Sequence, residues 1–169
     1  IKIGESLASH GFIGPFSVDF LITSDETTTR IFVIEINIRQ GGTTHPYQTA
    51  RLLTESTYCS DKGILVDRDG SNVYYRSNDN VLEEALKGSK VESFLDYMSS
   101  NDVTYNKHNG EGVVFHLLGA MPSSGKLGYT SIAKNPVKAQ HNSDKVLELI
   151  NQFIITNQKE LPAFHKNLA

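Results

Sequence analysis

Residues 14–46 read GPFSVDFLITSDETTTRIFVIEINIRQGGTTHP, and this stretch decides the fold that the sequence predicts. Apolar residues occupy every second position over 16–22 and again over 32–38. Alternation with a period of two is typical of a β-strand with one apolar face. Because the polar run SDETTT separates the two segments, the sequence predicts a β-hairpin, although its turn lacks the Asn-Gly pair of the tightest hairpins.

The polar faces of the two predicted strands determine how the strands pair. A register centred near Thr27 matches these faces, since a slip of one residue would turn a whole strand over. It places Asp19 opposite Glu35, and the next matched pair on the same face is Ser17 with Asn37. The predicted apolar faces comprise Phe16, Val18, Phe20 and Ile22 on the first strand and Phe32, Ile34, Ile36 and Ile38 on the second. The opposite face of the second strand carries Ile31 and Val33 together with Glu35, Asn37 and Arg39.

Two carboxylates at directly opposed positions repel each other, so the predicted pair of Asp19 and Glu35 has an energetic cost. A hard divalent cation would offset this cost, because Mg²⁺ is bound by oxygen ligands that include one or two carboxylates. Asn37 adds an amide oxygen on the same face. The residues alone leave open a second interpretation, in which this is a solvated acidic face of an edge hairpin.

A family resemblance supports the metal interpretation. The motif VDF at 18–20, followed by EINIRQGGTTHP at 35–46, resembles the metal-binding end of the ATP-grasp superfamily of ligases. The longer motif is most similar to the pheganomycin-type peptide ligases, closely over 11–53 and more weakly over 112–139. The resemblance implies that the metal ligands Asp19, Glu35 and Asn37 bind the Mg²⁺ ions that bridge the phosphates of ATP. It also implies an ATP-dependent reaction that joins a small carboxylate to an amine through an acyl phosphate.

The loop 39–46 follows the second strand and is the predicted substrate-binding segment. The resemblance implies that it lines the pocket for the acceptor and the acyl phosphate, and its residues are Gly41, Gly42, Thr43, Thr44 and His45. Glycines allow the backbone to approach a ligand closely, and the start of the helix expected at 46–55 is a suitable anion site. Arg39 shares the face of Glu35, where it either stabilises a transferring phosphoryl group as a catalytic residue or neutralises the acidic face. His45 is either a capping and packing residue or a proton-transfer group.

Two departures from the family pattern limit what the resemblance implies. Many members carry Arg two residues before the metal-binding Asp, and this chain has Ser17 there. The lysines and glycine-rich lid that hold the phosphates lie upstream of the hairpin in the family, whereas this chain begins at Ile1. We therefore predict the C-terminal portion of a longer protein, inactive by itself, whose partner is the upstream ATP-grasp portion. The alternative is a non-catalytic binding or interaction module that retains the ligase fold.

Composition restricts the other classes of function. The chain has 169 residues, of which 38% are hydrophobic and 21% charged, and these values fit one ordinary domain with an apolar core. A net charge of −3 provides no basic surface and argues against a nucleic-acid partner. No apolar run approaches the length of a bilayer span, so we predict no membrane partner. The single cysteine, Cys59, excludes an internal disulfide and is typical of a reducing compartment, which predicts the cytoplasm.

The remaining patterns predict helices and hairpins in alternation. The predicted helices are 1–10, which ends at Gly11, and then 46–55, 80–87, 91–98 and 143–157, and a short helix is predicted to start at Asn135-Pro136. The predicted strands are 64–66 and 72–75, joined by a turn at 68–71, and then 113–118 and 127–133. Between the last two strands, GAMPSSGK has the spacing of a phosphate-binding loop, but we interpret it as a hairpin turn because a strand follows it.

These patterns predict an α+β fold of antiparallel sheet hairpins packed with helices, as in the C-terminal part of an ATP-grasp fold. We predict one domain over 1–158, which contains the metal-binding hairpin 14–38 and the substrate loop 39–46. A C-terminal tail is predicted at 159–169.

Overall fold

The computed structural model describes the backbone of residues 2–160 and the side chains of residues 2–157. The chain divides into two compact units, and the boundary in the sequence lies between His45 and Pro46. The first unit contains α1 (Lys2–Ser9), β1 (Ser17–Ser24), β2 (Thr29–Asn37) and the start of α2 (Thr44–Leu53). The second contains the rest of α2, then β3 (Thr57–Cys59), β4 (Ile64–Val66), β5 (Asn72–Leu82), α3 (Val91–Ser100), β6 (Gly112–His116), α4 (Met121–Ser124), β7 (Lys126–Ala133) and α5 (Pro136–Glu160).

The first helix ends at a glycine, as predicted. The N–H of Gly11 donates to the carbonyl of Ala8 at 2.9 Å, and the N–H of Phe12 donates to the carbonyl of Leu7 at 3.1 Å. The φ angle of Gly11 is 82°, in the left-handed region. Together these features form a Schellman motif, which satisfies carbonyls that the end of α1 would otherwise expose.

The hairpin of β1 and β2 has the predicted register at its open end. Asp19 pairs with Glu35, and Ser17 pairs with Asn37. Beyond Asp19 the register shifts by one residue, because Ile34 has no partner on β1. An extra residue in one strand is a β-bulge, which interrupts the period of two and increases the local twist.

The bulge makes the predicted faces of β2 wrong on the side towards the turn. Phe20 pairs with Val33. Ile22 pairs with Ile31. Directly paired residues lie on the same face, so Val33 and Ile31 share the face of Val18. The pattern had predicted them on the face of the carboxylates.

Asp25 organises the polar turn that joins the two strands. Its Oδ1 accepts the N–H of Thr27 at 2.9 Å and the N–H of Thr28 at 2.8 Å. Its own N–H donates to the carbonyl of Thr28 at 3.0 Å. The bonds from Thr27, and then that from Thr28, hold the pKa of the Asp25 carboxyl below its usual value. The SDETTT segment therefore closes the hairpin through a side chain that substitutes for backbone hydrogen bonds.

The second unit is built on a five-stranded antiparallel sheet with the strand order β3–β4–β5–β7–β6. Every residue of β7 after Lys126 is buried. Successive strand residues point to opposite faces, so Tyr129 and Ile132 belong to different cores. The first core, against α3 and α5, includes Phe94, Met98, Val113, Leu127, Tyr129, Val146, Ile150 and Phe153. The second, against α2, comprises Ala50, Leu65, Val73 and Ile132.

Two predicted elements of this unit differ from the structure. Residues 80–87 do not form a helix, because β5 continues to Leu82 and a 3-10 turn follows at Glu84–Leu86. The short helix predicted to start at Asn135-Pro136 and the helix predicted over 143–157 form one continuous helix from Pro136, and the Oδ1 of Asn135 caps it by accepting the N–H of Lys138 at 2.8 Å.

The other elements confirm the predicted fold class, an α+β arrangement of antiparallel sheets packed with helices, and agree with the C-terminal part of an ATP-grasp fold. The GAMPSSGK segment contributes α4 and a left-handed Gly125 to the connection between β6 and β7, so it is no phosphate-binding loop. The division between 1–158 and the tail stays a prediction, since 161–169 lie outside the described residues. Within 2–160, no helix is long and apolar enough to span a membrane.

Candidate active site

The predicted metal ligands lie together at the open end of the first hairpin. Asp19 on β1 is the direct partner of Glu35 on β2, and both side chains are exposed. The half-buried Asn37 is two residues from Glu35 and therefore on the same face. The bulge at Ile34 lies directly beside Glu35. Bulges re-aim neighbouring side chains and are frequent next to active sites.

Arg39 contacts one of these predicted ligands. Its guanidinium donates to the Oδ1 of Asn37 at 3.1 Å and to the carbonyl of Gln40 at 3.2 Å. Within the described part of the chain, Arg39 forms no ion pair with Asp19 or Glu35. The structure therefore places the arginine at the edge of the acidic pair, where it binds the neutral amide and not the carboxylates.

The oxygen atoms at this end of the hairpin fit magnesium. Mg²⁺ takes oxygen ligands and is usually held by one or two carboxylates. The amide oxygen of Asn37 has two lone pairs, so the bond from Arg39 leaves one of them available. Among residues 2–160, no three His, Cys, Asp or Glu side chains are grouped so that they could hold a metal. A metal bound by Asp19 and Glu35 could take Asn37 as a third protein ligand.

The predicted substrate loop begins α2 with a reciprocal pair of hydrogen bonds. The N–H of Gly41 donates to the Oγ1 of Thr44 at 3.1 Å, and the N–H of Thr44 donates to the carbonyl of Gly41 at 3.0 Å. The two bonds close a turn over 41–44, in which the side chain of Thr44 satisfies the N–H of Gly41. In the part of the chain that the structure describes, the N–H groups of Gly42 and Thr43 have no hydrogen-bond acceptor. The loop thus offers two backbone donors at a helix start, and His45 beside it is exposed.

A second polar cluster, in the second unit, was not predicted from the sequence. Glu111 has a side chain only 11% exposed and accepts the N–H of Lys134 at 3.0 Å and the ammonium of Lys138. Burial by itself would raise the pKa of Glu111, but the hydrogen bonds from Lys134 and Lys138 and the charges of both lysines together lower it. A groove of about 660 Å³ lies beside this cluster and is lined mainly by 99–112. No sequence signal marked Glu111, because it lies in a polar run predicted to be a loop and its partners are more than 20 residues away.

Part of the second unit matches a known family in sequence. The family described as the PGM1 C-terminal domain, which is related to ATP-grasp, matches residues 100–146. The matched segment runs from the end of α3 into α5 and includes both β6 and β7. Over these residues the chain is similar to the ATP-grasp-related proteins.

A curated relative makes the similarity more specific. The L-propargylglycine–L-glutamate ligase of Streptantibioticus cattleyicolor is 30% identical to this chain over 138 residues, which is 82% of this chain and 28% of the relative. The predicted resemblance to pheganomycin-type ligases of the ATP-grasp superfamily is therefore confirmed. The chain spans little more than a quarter of the length of that relative. No solved structure matches the chain at a significant level.

Proposed function

We propose that this chain is part of an ATP-dependent carboxylate–amine ligase, to which it supplies the hairpin that binds Mg²⁺–ATP and the loop that binds the substrate. The observation that carries the proposal is the direct cross-strand pairing of Asp19 with Glu35, with Asn37 on the same face. Opposed carboxylates destabilise a hairpin, and a cation bound between them removes that cost. The similarity to a ligase supports the same class of reaction.

In the proposed reaction, the γ-phosphoryl group of ATP is transferred to a substrate carboxylate, and an amine then attacks the resulting acyl phosphate and displaces phosphate to form an amide. Magnesium held by Asp19, Glu35 and Asn37 would neutralise the polyphosphate and orient its γ-phosphoryl group. Arg39 lies beside this set, bonded to Asn37, where its charge stabilises the transferring group. Because the guanidinium also contacts the carbonyl of Gln40, it connects the metal-binding strand to the loop.

The loop would bind the acyl phosphate and position the acceptor. The N–H groups of Gly42 and Thr43 are available as donors at the start of α2, where the helix dipole favours an anion. The bonds between Gly41 and Thr44 fix the loop, so these donors are held in place before a substrate arrives. His45 is exposed next to them and would contact the substrate.

The proposed partner of the hairpin is the upstream ATP-grasp portion of a parent protein. Large apolar side chains are 42–65% exposed on both faces of the hairpin, and they are Phe20, Leu21, Ile22, Ile31, Phe32, Val33, Ile34 and Ile36. Exposed apolar surface of this extent is typical of an interaction surface. The proposal agrees with the 28% share of the curated ligase that this chain spans. Without that portion we expect the chain to be inactive, and the parent protein is expected in the cytoplasm.

The proposed substrates are a small carboxylate and an amine. The name of the curated relative states that it joins two amino acids, L-propargylglycine and L-glutamate. We therefore expect both substrates of the parent protein to be amino acids or short peptides.

Calorimetric titration of the full-length protein with a non-hydrolysable ATP analogue tests the proposal. We expect binding that requires Mg²⁺ and that Glu35→Gln weakens by about tenfold or more, because a metal ligand is lost. Glu26→Gln is the matched control, since it removes the same charge from the turn of the same hairpin and leaves the paired carboxylates intact. Equal affinity with and without Mg²⁺, and in Glu35→Gln, would contradict the proposed metal site.

The second candidate function is a non-catalytic binding module that retains the ligase fold. Ser17 favours it, because this position next to the metal-binding pair lacks the arginine expected of many family members. Nucleotide binding that ignores both Mg²⁺ and Glu35→Gln is the result that this alternative predicts, and upstream phosphate-binding lysines in the parent protein would argue against it.

A further inference from the structure

A pocket of about 410 Å³ lies in the second unit, between the start of α2 and the sheet edge formed by β3, β4 and β5. Its walls include Tyr47 from α2, Tyr58 from β3, Ile64 from β4 and Tyr75 from β5. Tyr47 is only two residues beyond the end of the substrate loop at His45. The metal-binding hairpin contributes no residue to the pocket as the structure describes it, so the pocket is a separate feature.

The aromatic walls leave room for an apolar group. The rings of Tyr47 and Tyr58 have centroids 6.4 Å apart and planes 76° from each other, so they form two sides of a corner. Tyr75 is 37% exposed, and burial, together with the nearby Tyr47, raises the pKa of its hydroxyl. The apolar residue Ile64 completes the surface. Ligand pockets typically combine such apolar walls with a few polar groups that fix orientation.

The tyrosine hydroxyls of this pocket form no hydrogen bond within the described part of the chain. The chain has seven tyrosines, and the three outside the pocket, Tyr97, Tyr105 and Tyr129, each form a hydrogen bond through the hydroxyl. The four that line the pocket, Tyr47, Tyr58, Tyr74 and Tyr75, form no hydroxyl hydrogen bond with any residue that the structure describes. Tyr74 and Tyr75 are neighbours on β5 and point to opposite faces of the sheet, so the hydroxyls available to a polar ligand beside Tyr75 are those of Tyr47, Tyr58 and Tyr75.

The charge of the pocket selects an anion. Among the described residues that line it, Lys62 is the one charged side chain, and it forms no ion pair within that part of the chain. An ammonium next to apolar walls favours a ligand that combines a carboxylate with an apolar side chain. An acceptor that reacts through its amine keeps its own carboxylate free, so this group remains for recognition.

We propose that this pocket binds an α-amino acid with an apolar side chain, whose carboxylate is held by Lys62 and whose side chain lies between Tyr47, Tyr58 and Tyr75. The inference rests on the proposed ligase function and adds to it a binding site for one of the amino-acid substrates. The hydroxyl of Tyr75 donates to the ligand carboxylate or accepts from its amine.

The test is a titration of the 169-residue chain with L-phenylalanine and with L-phenylalaninamide, followed by amide chemical shifts in NMR. We expect L-phenylalanine to shift the resonances of Gly63 and Ile64 in a saturable way. L-Phenylalaninamide should bind about tenfold more weakly, because it lacks the carboxylate. Lys62→Gln should lower the affinity for L-phenylalanine about tenfold and leave the affinity for L-phenylalaninamide unchanged. Tyr75→Phe should lower the affinity for both ligands.

Lys90→Gln is the matched control, because Lys90 is another exposed lysine, at the start of α3 and outside the pocket. Absence of saturable binding, or equal affinity for the acid and the amide, would overturn the proposal. The titration contains no nucleotide, so it tests the pocket independently of the metal site. If amino-acid binding fails while Mg²⁺-dependent ATP binding is observed, only the pocket proposal is refuted. If the amino acid binds but nucleotide binding does not depend on Mg²⁺, the proposed ligase site is refuted and the pocket proposal stands.

Discussion

Gly125 shows how a single residue fixes the connection between β6 and β7. Its φ angle is 73°, and a Cβ at this position would lie 2.2 Å from the carbonyl oxygen of Glu83. Both the backbone conformation and the contact exclude a side chain, and the contact is with backbone atoms that cannot rotate away. We expect Gly125→Ala to lower the free energy of unfolding by about 3 kcal/mol or more, as measured by urea denaturation.

Gly88 provides the control for that measurement. It also has a left-handed φ, 78°, but a Cβ there would meet nothing within 4 Å. Gly88→Ala should lower the free energy of unfolding by only the cost of a left-handed backbone conformation, about 1–2 kcal/mol. Equal losses in the two variants would mean that the contact with Glu83 contributes nothing.

Glu111 makes stability depend on pH. Its pKa in the folded chain lies below the usual 4.5, although burial opposes the shift, because Lys134 and Lys138 bind its carboxylate. Between the two pKa values the unfolded chain binds more protons than the folded chain, so stability rises with pH there. The contribution of Glu111 is therefore complete above about pH 4.5 and disappears as the pH falls through the lower, folded value.

Glu111→Gln should accordingly destabilise the protein at pH 7 and have a smaller effect as the pH falls below 4.5. Urea denaturation of both proteins from pH 7 to pH 3.5 measures the difference. Glu148→Gln, on an exposed position of α5, serves as the comparison for loss of a glutamate without these partners. A difference between the parent chain and Glu111→Gln that stays constant with pH would refute the assigned role.

At the scale of elements, the hairpin of β1 and β2 should become more stable when one of its opposed carboxylates is neutralised. Asp19→Asn removes the repulsion with Glu35, which is about 0.2–1 kcal/mol for a like-charged cross-strand pair. Hydrogen exchange of the β1 and β2 amides in metal-free buffer should therefore slow in the variant. Mg²⁺ should slow exchange in the parent chain and have little effect on Asp19→Asn. If Mg²⁺ protects both proteins equally, Asp19 is not a metal ligand.

The sequence predicted this hairpin well at one end and less well at the other, for a physical reason. The polar pairs at the open end determine the register, because a slip would place the carboxylates opposite apolar residues. Towards the turn the residues around Ile34 are apolar on both sides, so the alternation contains no signal for the extra residue. The residues 80–87 have helix-forming side chains, but Val81 and Leu82 pair with β7, and this tertiary contact overrides the local preference.

The proposed metal site and the proposed tyrosine pocket also differ in how far the sequence predicts them. The motif at 35–46 places Glu35 and Asn37 on one strand face once the period of two is recognised, and the hairpin register adds Asp19 from the preceding strand. The tyrosine pocket is assembled from Tyr47, Tyr58 and Tyr75, which lie on three elements, and no local pattern predicts that β3 and β5 bring them together. The sequence therefore predicts the proposed metal site, which a hairpin motif contains, and gives no signal for the proposed pocket, which packing assembles.

At the scale of the whole molecule, the two units contain very different amounts of buried apolar surface. All the buried hydrophobic side chains that the structure describes lie between Ala50 and Phe153, in the second unit. The hairpin of the first unit exposes apolar residues on both faces. A two-stranded hairpin without such burial is at best marginally stable in water. The second unit should therefore fold without the first, and the first should need a partner.

Two fragments test this inference. Residues 40–160 keep the capping loop of α2 and both cores, and we expect a single cooperative urea transition and a dispersed amide NMR spectrum. Residues 2–40 contain only α1 and the hairpin, and we expect no cooperative transition. The full chain should unfold with the same midpoint as 40–160, because the first unit adds no buried core. If 40–160 lacks a cooperative transition, the hairpin contributes to the fold of the second unit, and its apolar faces are then not reserved for an upstream partner.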